Sequence, residues 1–167
     1  MIEMMRVDDR LIHGQVAVMW SKELRVDRII VASDTIAADS IQVSALKMAA
    51  PAGVKAAILP LEKVIGIIND PRSKNLRILV ISNTPADLLE VAKGISEKPV
   101  LNIANYGRIG GGGLSTKKKV SESVYVTKED ERVVAEIHDL GIEVIHQPLP
   151  SDSRIDFIKL MGGKVRC

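Results

Sequence analysis

Short apolar runs rich in β-branched residues recur through the N-terminal part of the chain, at residues 2–7, 28–32, 54–59, 77–81 and 100–103. Turn-forming or charged residues bound each run, the signature of strands buried on both faces. Between them the period lengthens to that of a helix. Residues 15–24 place Val16, Met19, Trp20 and Leu24 on one face, and residues 39–49 do the same with Ile41, Ala45, Met48 and Ala49. Both stripes are expected against the core. Pro60-Leu61-Glu62 and Thr84-Pro85-Ala86-Asp87 mark two further helix starts, with Pro in the first turn and an acid at the positive end of the helix dipole.

Strand and helix alternate through about five units, and parallel neighbours need a crossover that is usually a helix. After Gly107 the rhythm changes. A glycine-rich loop at 110–113 is followed by a strand-like stretch at 121–127, a helix over 128–140, a strand at 142–146 and a last helix from about Ser151. The expectation is an α/β fold: an open, mainly parallel sheet of about seven strands with helices on both faces. No repeat or Pro/Ser-rich linker divides the chain, so residues 1–167 are read as a single domain. In such sheets chemistry collects beyond the C-terminal strand ends.

Composition then narrows the function. With 23 Lys+Arg against 21 Asp+Glu, and the basic residues scattered, there is no single-sign face for nucleic acid or an anionic membrane surface. The aromatic residues Trp20, Tyr106, Tyr125 and Phe157 are too few to stack on bases or sugar rings. A lone cysteine, Cys167, leaves no disulfide framework and points to a reducing compartment. The start of the chain is acidic rather than signal-like, and no apolar run approaches the roughly 18–20 residues of a membrane span. A cytoplasmic protein is expected. No close histidine pair or cysteine spacing suits a metal, and no cofactor is expected.

The densest chemistry lies where the first strand meets the first helix, in Arg6-Val7-Asp8-Asp9-Arg10-Leu11-Ile12-His13-Gly14-Gln15-Val16. A neutral imidazole nitrogen is a nucleophile near neutral pH, so His13 suits a phosphoryl acceptor. Arg6 and Arg10 would keep the ring neutral and supply bidentate donors to phosphoryl oxygens, while the helix-opening N–H groups at Gly14 and Gln15 add anion-binding capacity. Asp8 or Asp9 is expected to hold the far ring nitrogen, and the residues alone do not say which. The plainer reading is a surface turn of ion pairs with a partly buried histidine. The clustering favours chemistry.

Residues 6–16 closely resemble the phosphorylation-site signature of the IIB subunit of the bacterial sugar phosphotransferase system, mannose/fructose/sorbose family. The resemblance extends to the α/β order, the length, and Gly141-Ile142-Glu143-Val144 followed by a Pro-rich turn. It implies that His13 corresponds to the family's phosphoacceptor, and Arg6 and Arg10 to the arginines that brace the phosphoryl group. It further implies a phosphohistidine–sugar phosphotransferase component. Such a protein accepts a phosphoryl group from a IIA domain and passes it to a sugar carried by the membrane subunits IIC and IID, to which it is peripherally bound. Phosphoryl transfer asks mainly for in-line positioning and charge neutralisation, which suits a carrier. Four consecutive glycines at 110–113 depart from the family's compact turn, so no role is carried over to that loop.

Other segments carry weaker signals. Ser82 and Thr84 lie at another strand end and are candidates for the same phosphate crevice, with helix capping as their simpler role. The loop at 102–108 follows a strand end and is expected to form a rim across the sheet top from the first loop. The glycines beyond it are not a Walker loop, because Leu114-Ser115-Thr116 follows Gly113. His146 reads as a strand-edge residue, His138 as a helix-surface one, and Lys117-Lys118-Lys119 as a solvated run with partner docking as a lesser role. A homodimer is expected through an apolar patch on the helix bearing Val133, Val134 and Ile137, or on the last helix. Two other functional classes compete: a noncatalytic anion- or nucleotide-binding domain using Arg6 and Arg10, and an enzyme using His13 as general base on a phosphorylated small molecule.

Overall fold

The computed structural model describes residues 1–108 and 116–162. In chain order its elements are β1 (Ile2–Asp8), α1 (Gly14–Leu24), β2 (Arg28–Ala32), α2 (Asp34–Ala37), α3 (Ser40–Met48), β3 (Lys55–Leu59), α4 (Leu61–Asn69), β4 (Ile78–Ser82), α5 (Pro85–Gly94), β5 (Leu101–Asn105), β6 (Lys118–Ser121), β7 (Val124–Val126), α6 (Lys128–Asp139), β8 (Val144–His146), β9 (Ile155–Asp156) and α7 (Phe157–Leu160). The main sheet has seven strands in the order β3-β2-β4-β1-β5-β8-β9, all parallel except β9. The mainly parallel α/β expectation holds.

Membership of that sheet differs from the expectation. The stretch 121–127 supplies no strand to it and instead forms the turn and return of the small antiparallel β6–β7 ribbon, which touches β5 through a Tyr106–Val124 bridge. The seventh strand is Ile155–Asp156, inside the segment expected to open the last helix. That helix begins at Phe157, where the Asp156 carboxylate accepts the Lys159 N–H at 3.2 Å. Asp at an N-cap is a strong local stop, and it overrides the earlier start at Ser151.

Alternation along the strands divides the core between two faces. Met5, Val7, Val80 and Ile103 pack with α4, α5, α6 and α7 on one side. Met4, Ile29, Val31 and Ile81 pack with α1 and α2 on the other, where Trp20 is the largest contributor.

Two helix faces correct the sequence reading. Val133, Val134 and Ile137 of α6, and Phe157, Ile158 and Met161 at the end of the chain, are buried in the first cluster. The apolar patch assigned to a homodimer is therefore spent on the core. On α3 the reverse holds: Ile41 is 80% and Met48 86% exposed, while Val43 and Leu46 pack inward. Beside edge strand β3, α3 has only one side to bury, and Val43 and Leu46 occupy it.

Candidate functional site

β1 lies between β4 and β5, and the chain leaves β1 for α1 on one face and β4 for α5 on the other. Such divergence opens a crevice at the C-terminal strand ends, where open α/β sheets take their ligands. Strand alternation puts Arg6 and Asp8 on the α1 face with Met4. Arg6 is 3% exposed, and its Nη2 donates to Asp8 Oδ2 at 3.0 Å. Trp20 covers the guanidinium, with Cζ 5.6 Å from the ring centroid, a cation–π distance. Burial lowers the Arg6 pKa, and the Asp8 charge and hydrogen bond oppose that shift. Among the described residues Arg6 Nη1 has no partner.

Asp8 then turns the chain. Its Oδ1 accepts the Arg10 N–H at 3.0 Å and its carbonyl accepts the Leu11 N–H at 3.0 Å. The turn drives Leu11 to φ 58°, in the left-handed region, at a strain on the order of 1–2 kcal/mol for a bulky side chain. Burial of Leu11 and Ile12 beside α1 offsets that strain. The bend delivers His13 as N-cap of α1 with extended backbone, φ −150° and ψ 130°, and no capping bond from its side chain. Both ring nitrogens are enclosed, and no side chain bonds either among the described residues, the Leu11 backbone being the near acceptor. Gly14 follows at φ 45°, a conformation that suits glycine, and with Gln15 it stands exposed at the start of α1.

Burial lowers the His13 pKa below the ordinary 6.5; Asp8 opposes the shift and Arg10 reinforces it. The ring is thereby biased toward the neutral, nucleophilic form. Neither aspartate holds it. Asp8 spends its oxygens on Arg6 and the Arg10 N–H. Asp9 is turned toward the end of β5, its N–H donating to the Asn105 carbonyl at 2.8 Å. Burial raises the Asp9 pKa, and the Arg108 and Gly107 N–H groups counter it. Asp9, exposed Arg10, Asn105 and Arg108 line a cavity of about 360 Å³. Of the loop expected at 102–108, residues 102–105 belong to β5, and only the stretch from Asn105 to Arg108 faces the first loop across this cavity. The glycines 110–113 lie outside the described residues.

Gly107 turns the chain after β5. It sits at φ 87°, and a Cβ there would come within 1.9 Å of the Tyr125 carbonyl oxygen. Lys117 Nζ donates to the Gly107 carbonyl at 2.7 Å, Lys118 bonds the Met161 carbonyl, and Lys119 pairs with Glu122 at 2.8 Å. The basic run is therefore engaged in local contacts.

Ser82 and Thr84 are both engaged at the start of α5. Ser82 faces α5, its hydroxyl 3.4 Å from Asp87 Oδ2, and Thr84 Oγ1 accepts the Asp87 N–H at 3.2 Å as the α5 cap. His146 is interior rather than at an edge, because β9 pairs outside β8. Its Nδ1 lies 2.7 Å from the Ile103 carbonyl and its ring tilts against Phe157. His138 is exposed on α6, as expected. Trp20, read from sequence only as a core residue, is the neighbour of Arg6 that the pattern did not reveal; its one signal is a place seven residues, about two turns, beyond His13.

No helix among the described residues is long and apolar enough to cross a membrane. Comparison with known proteins defines the class as a phosphotransferase component. Residues 2–166 match the family model of the PTS system sorbose subfamily IIB component. A probable phosphotransferase enzyme IIB component from Streptococcus pyogenes serotype M6 is 39% identical over 97% of this chain and 100% of its own length. The mannose-specific EIIAB component of Escherichia coli K12 is 32% identical over 96% of this chain, which matches 48% of that longer protein. The crystal structure of the IIBSor domain of the sorbose permease from Klebsiella pneumoniae superposes with a TM-score of 0.90 at 27% identity, covering 99% of both chains. The chain belongs to the sorbose subfamily of IIB components of the sugar phosphotransferase system. A noncatalytic anion-binding domain is not favoured.

Proposed function

We propose that His13 is the phosphoryl acceptor of this IIB component and that Arg6 and Arg10 brace the phosphoryl group. The observation that carries the reading is a half-buried imidazole whose two enclosed nitrogens bond no side chain among the described residues, at the N-terminus of α1 and within the field of two arginines. A neutral ring attacks the phosphorus of a phosphohistidine on a IIA domain; the donor P–N bond breaks as the His13 P–N bond forms, and the donor nitrogen takes the electron pair. A sugar hydroxyl then attacks, the His13 P–N bond breaks, a P–O bond forms, and the hydroxyl proton leaves to a base at the sugar site.

Arg6, Arg10 and the N–H groups at Gly14 and Gln15 spread the phosphoryl charge. Asp8 orients Arg6, and Asp9 shapes the adjoining cavity. The donor is IIA and the acceptor is a sugar on membrane subunits IIC and IID, which places this cytoplasmic chain peripherally at the membrane. The E. coli relative, whose name joins IIA to IIB, supports the first partnership. The homodimer expectation is carried forward without its assigned face, and a monomeric mass in light scattering at every concentration removes it.

The test is intact-mass measurement at neutral pH after incubation with phosphoenolpyruvate, the general phosphotransferase proteins and a mannose-family IIA. One added phosphoryl group on the parent, lost in acid and absent from His13→Gln, is the expected result. An unmodified parent beside an active IIA, or an adduct that survives in His13→Gln, overturns the assignment.

A further inference from the structure

We propose that Trp20 is a positioning residue for Arg6: its indole face fixes the guanidinium with Nη2 committed to Asp8 and the enclosed Nη1 left unpaired for a phosphoryl oxygen. The inference rests on the reading of His13 as acceptor.

A buried guanidinium with an unmet N–H ordinarily turns until it finds an acceptor, because an unsatisfied buried donor is costly. Here Nη2 is held by Asp8 at 3.0 Å, while Nη1 has no partner among the described residues. What holds the plane in place is Trp20, 5.6 Å from Cζ. An aromatic face attracts a cation without accepting any of its N–H bonds in the guanidinium plane, so it orients the group and consumes no donor. A carboxylate in the same place would take the unpaired Nη1, and an aliphatic side chain would leave the plane free to turn.

The indole is itself immobilised. Trp20 is 2% exposed, and its Nε1 donates to the Pro148 carbonyl at 2.9 Å. The Pro148 loop is fastened in turn by the buried Asn102 side chain, which accepts the Gln147 N–H at 3.0 Å and donates to the Gln147 carbonyl at 2.8 Å. A contact network thus runs from β5 through the loop after β8 to α1 and to the arginine on β1. Simple core filling predicts sensitivity to volume at position 20. Positioning predicts sensitivity to the aromatic face, and only while an arginine lies against it.

Single-turnover transfer from phospho-IIA separates the two. The parent should gain one phosphoryl group on His13. Trp20→Phe, which keeps a ring face, should stay within about threefold of the parent rate, while Trp20→Leu falls roughly tenfold at unchanged half-saturation by phospho-IIA. In an Arg6→Lys background the further loss from Trp20→Leu should shrink to about twofold or less. Trp20 is the single tryptophan of the chain. Its emission should change when the parent is phosphorylated and stay constant in Arg6→Lys. Equal rates for Phe and Leu, or an undiminished Leu effect in the Lys background, overturn the inference while the acceptor role stands. Should Trp20→Leu fail to fold, emission unchanged on phosphorylation of the parent overturns it. A parent that takes no phosphoryl group on His13 instead removes the reading beneath it.

Discussion

At the scale of single residues the site is organised by what each polar atom is denied. Asp8 gives one carboxylate oxygen to Arg6 and the other to the backbone of Arg10, and neither bonds a ring nitrogen of His13. Replacing Asp8 by Asn removes the charge that compensates a buried guanidinium, and the loss should be about 3 kcal/mol of stability in urea denaturation. A change below roughly 1 kcal/mol would show that the pair is not buried in solution. His13 carries the pH dependence. Its folded pKa lies below 6.5, so as pH falls the unfolded chain takes the proton first. The His13 contribution to stability is therefore complete above 6.5 and fades as pH drops through the lower, folded value. Phosphoryl acceptance should follow the same group, persisting into mildly acidic solution. An NMR titration of the His13 ring with a midpoint at or above 6.5 contradicts this. The arginine–histidine cluster was legible because it is local, folded within one strand, one turn and one helix start. Which carboxylate does what was not, since that follows from the direction of side chains after the turn.

Among the elements, β1, β2, β4 and β5 were legible because burial on both faces leaves no polar alternation to confuse the pattern, and edge strand β3 by its short apolar run. Helix α1 was equally clear, and Trp20 on its expected face is buried. Helix α3 was not: Ile41, Ala45 and Met48 make a convincing stripe, yet Val43 and Leu46 face the sheet. A stripe gives a period, and neighbours decide which side of it is covered. Met48→Lys should accordingly shift the thermal midpoint little, by the equivalent of about 0.5 kcal/mol or less. A larger loss in a dilute monomer would mean that this face is packed after all. Strand β9 escaped notice because two residues carry no readable alternation; Ile155 and Asp156 are a strand only by pairing with His146 and Ile145.

The whole molecule brings its catalytic candidate to a point where neighbouring connections leave the sheet on opposite faces. Long-range hydrogen bonds then tie that point to the far end of the chain. Trp20 and Pro148 are 128 residues apart, and Asn102 and Gln147 are joined twice. Asn102→Ala strands both backbone groups of Gln147 in a half-buried place. The expected loss is about 2 kcal/mol in denaturation, together with a change in Trp20 emission as the Pro148 loop loosens. Unchanged emission in a folded variant would separate that loop from the arginine network.

The sequence by itself determined the alternation of buried strands and helices, the two-sided sheet and the cluster around His13, because each is written within a few consecutive residues as period, capping or adjacency. Tertiary structure alone decided which strands lie at the edge, that His146 is interior, and that an indole lies over Arg6. Each of these depends on which distant segment arrives beside a residue, a matter of topology and packing that no local pattern records.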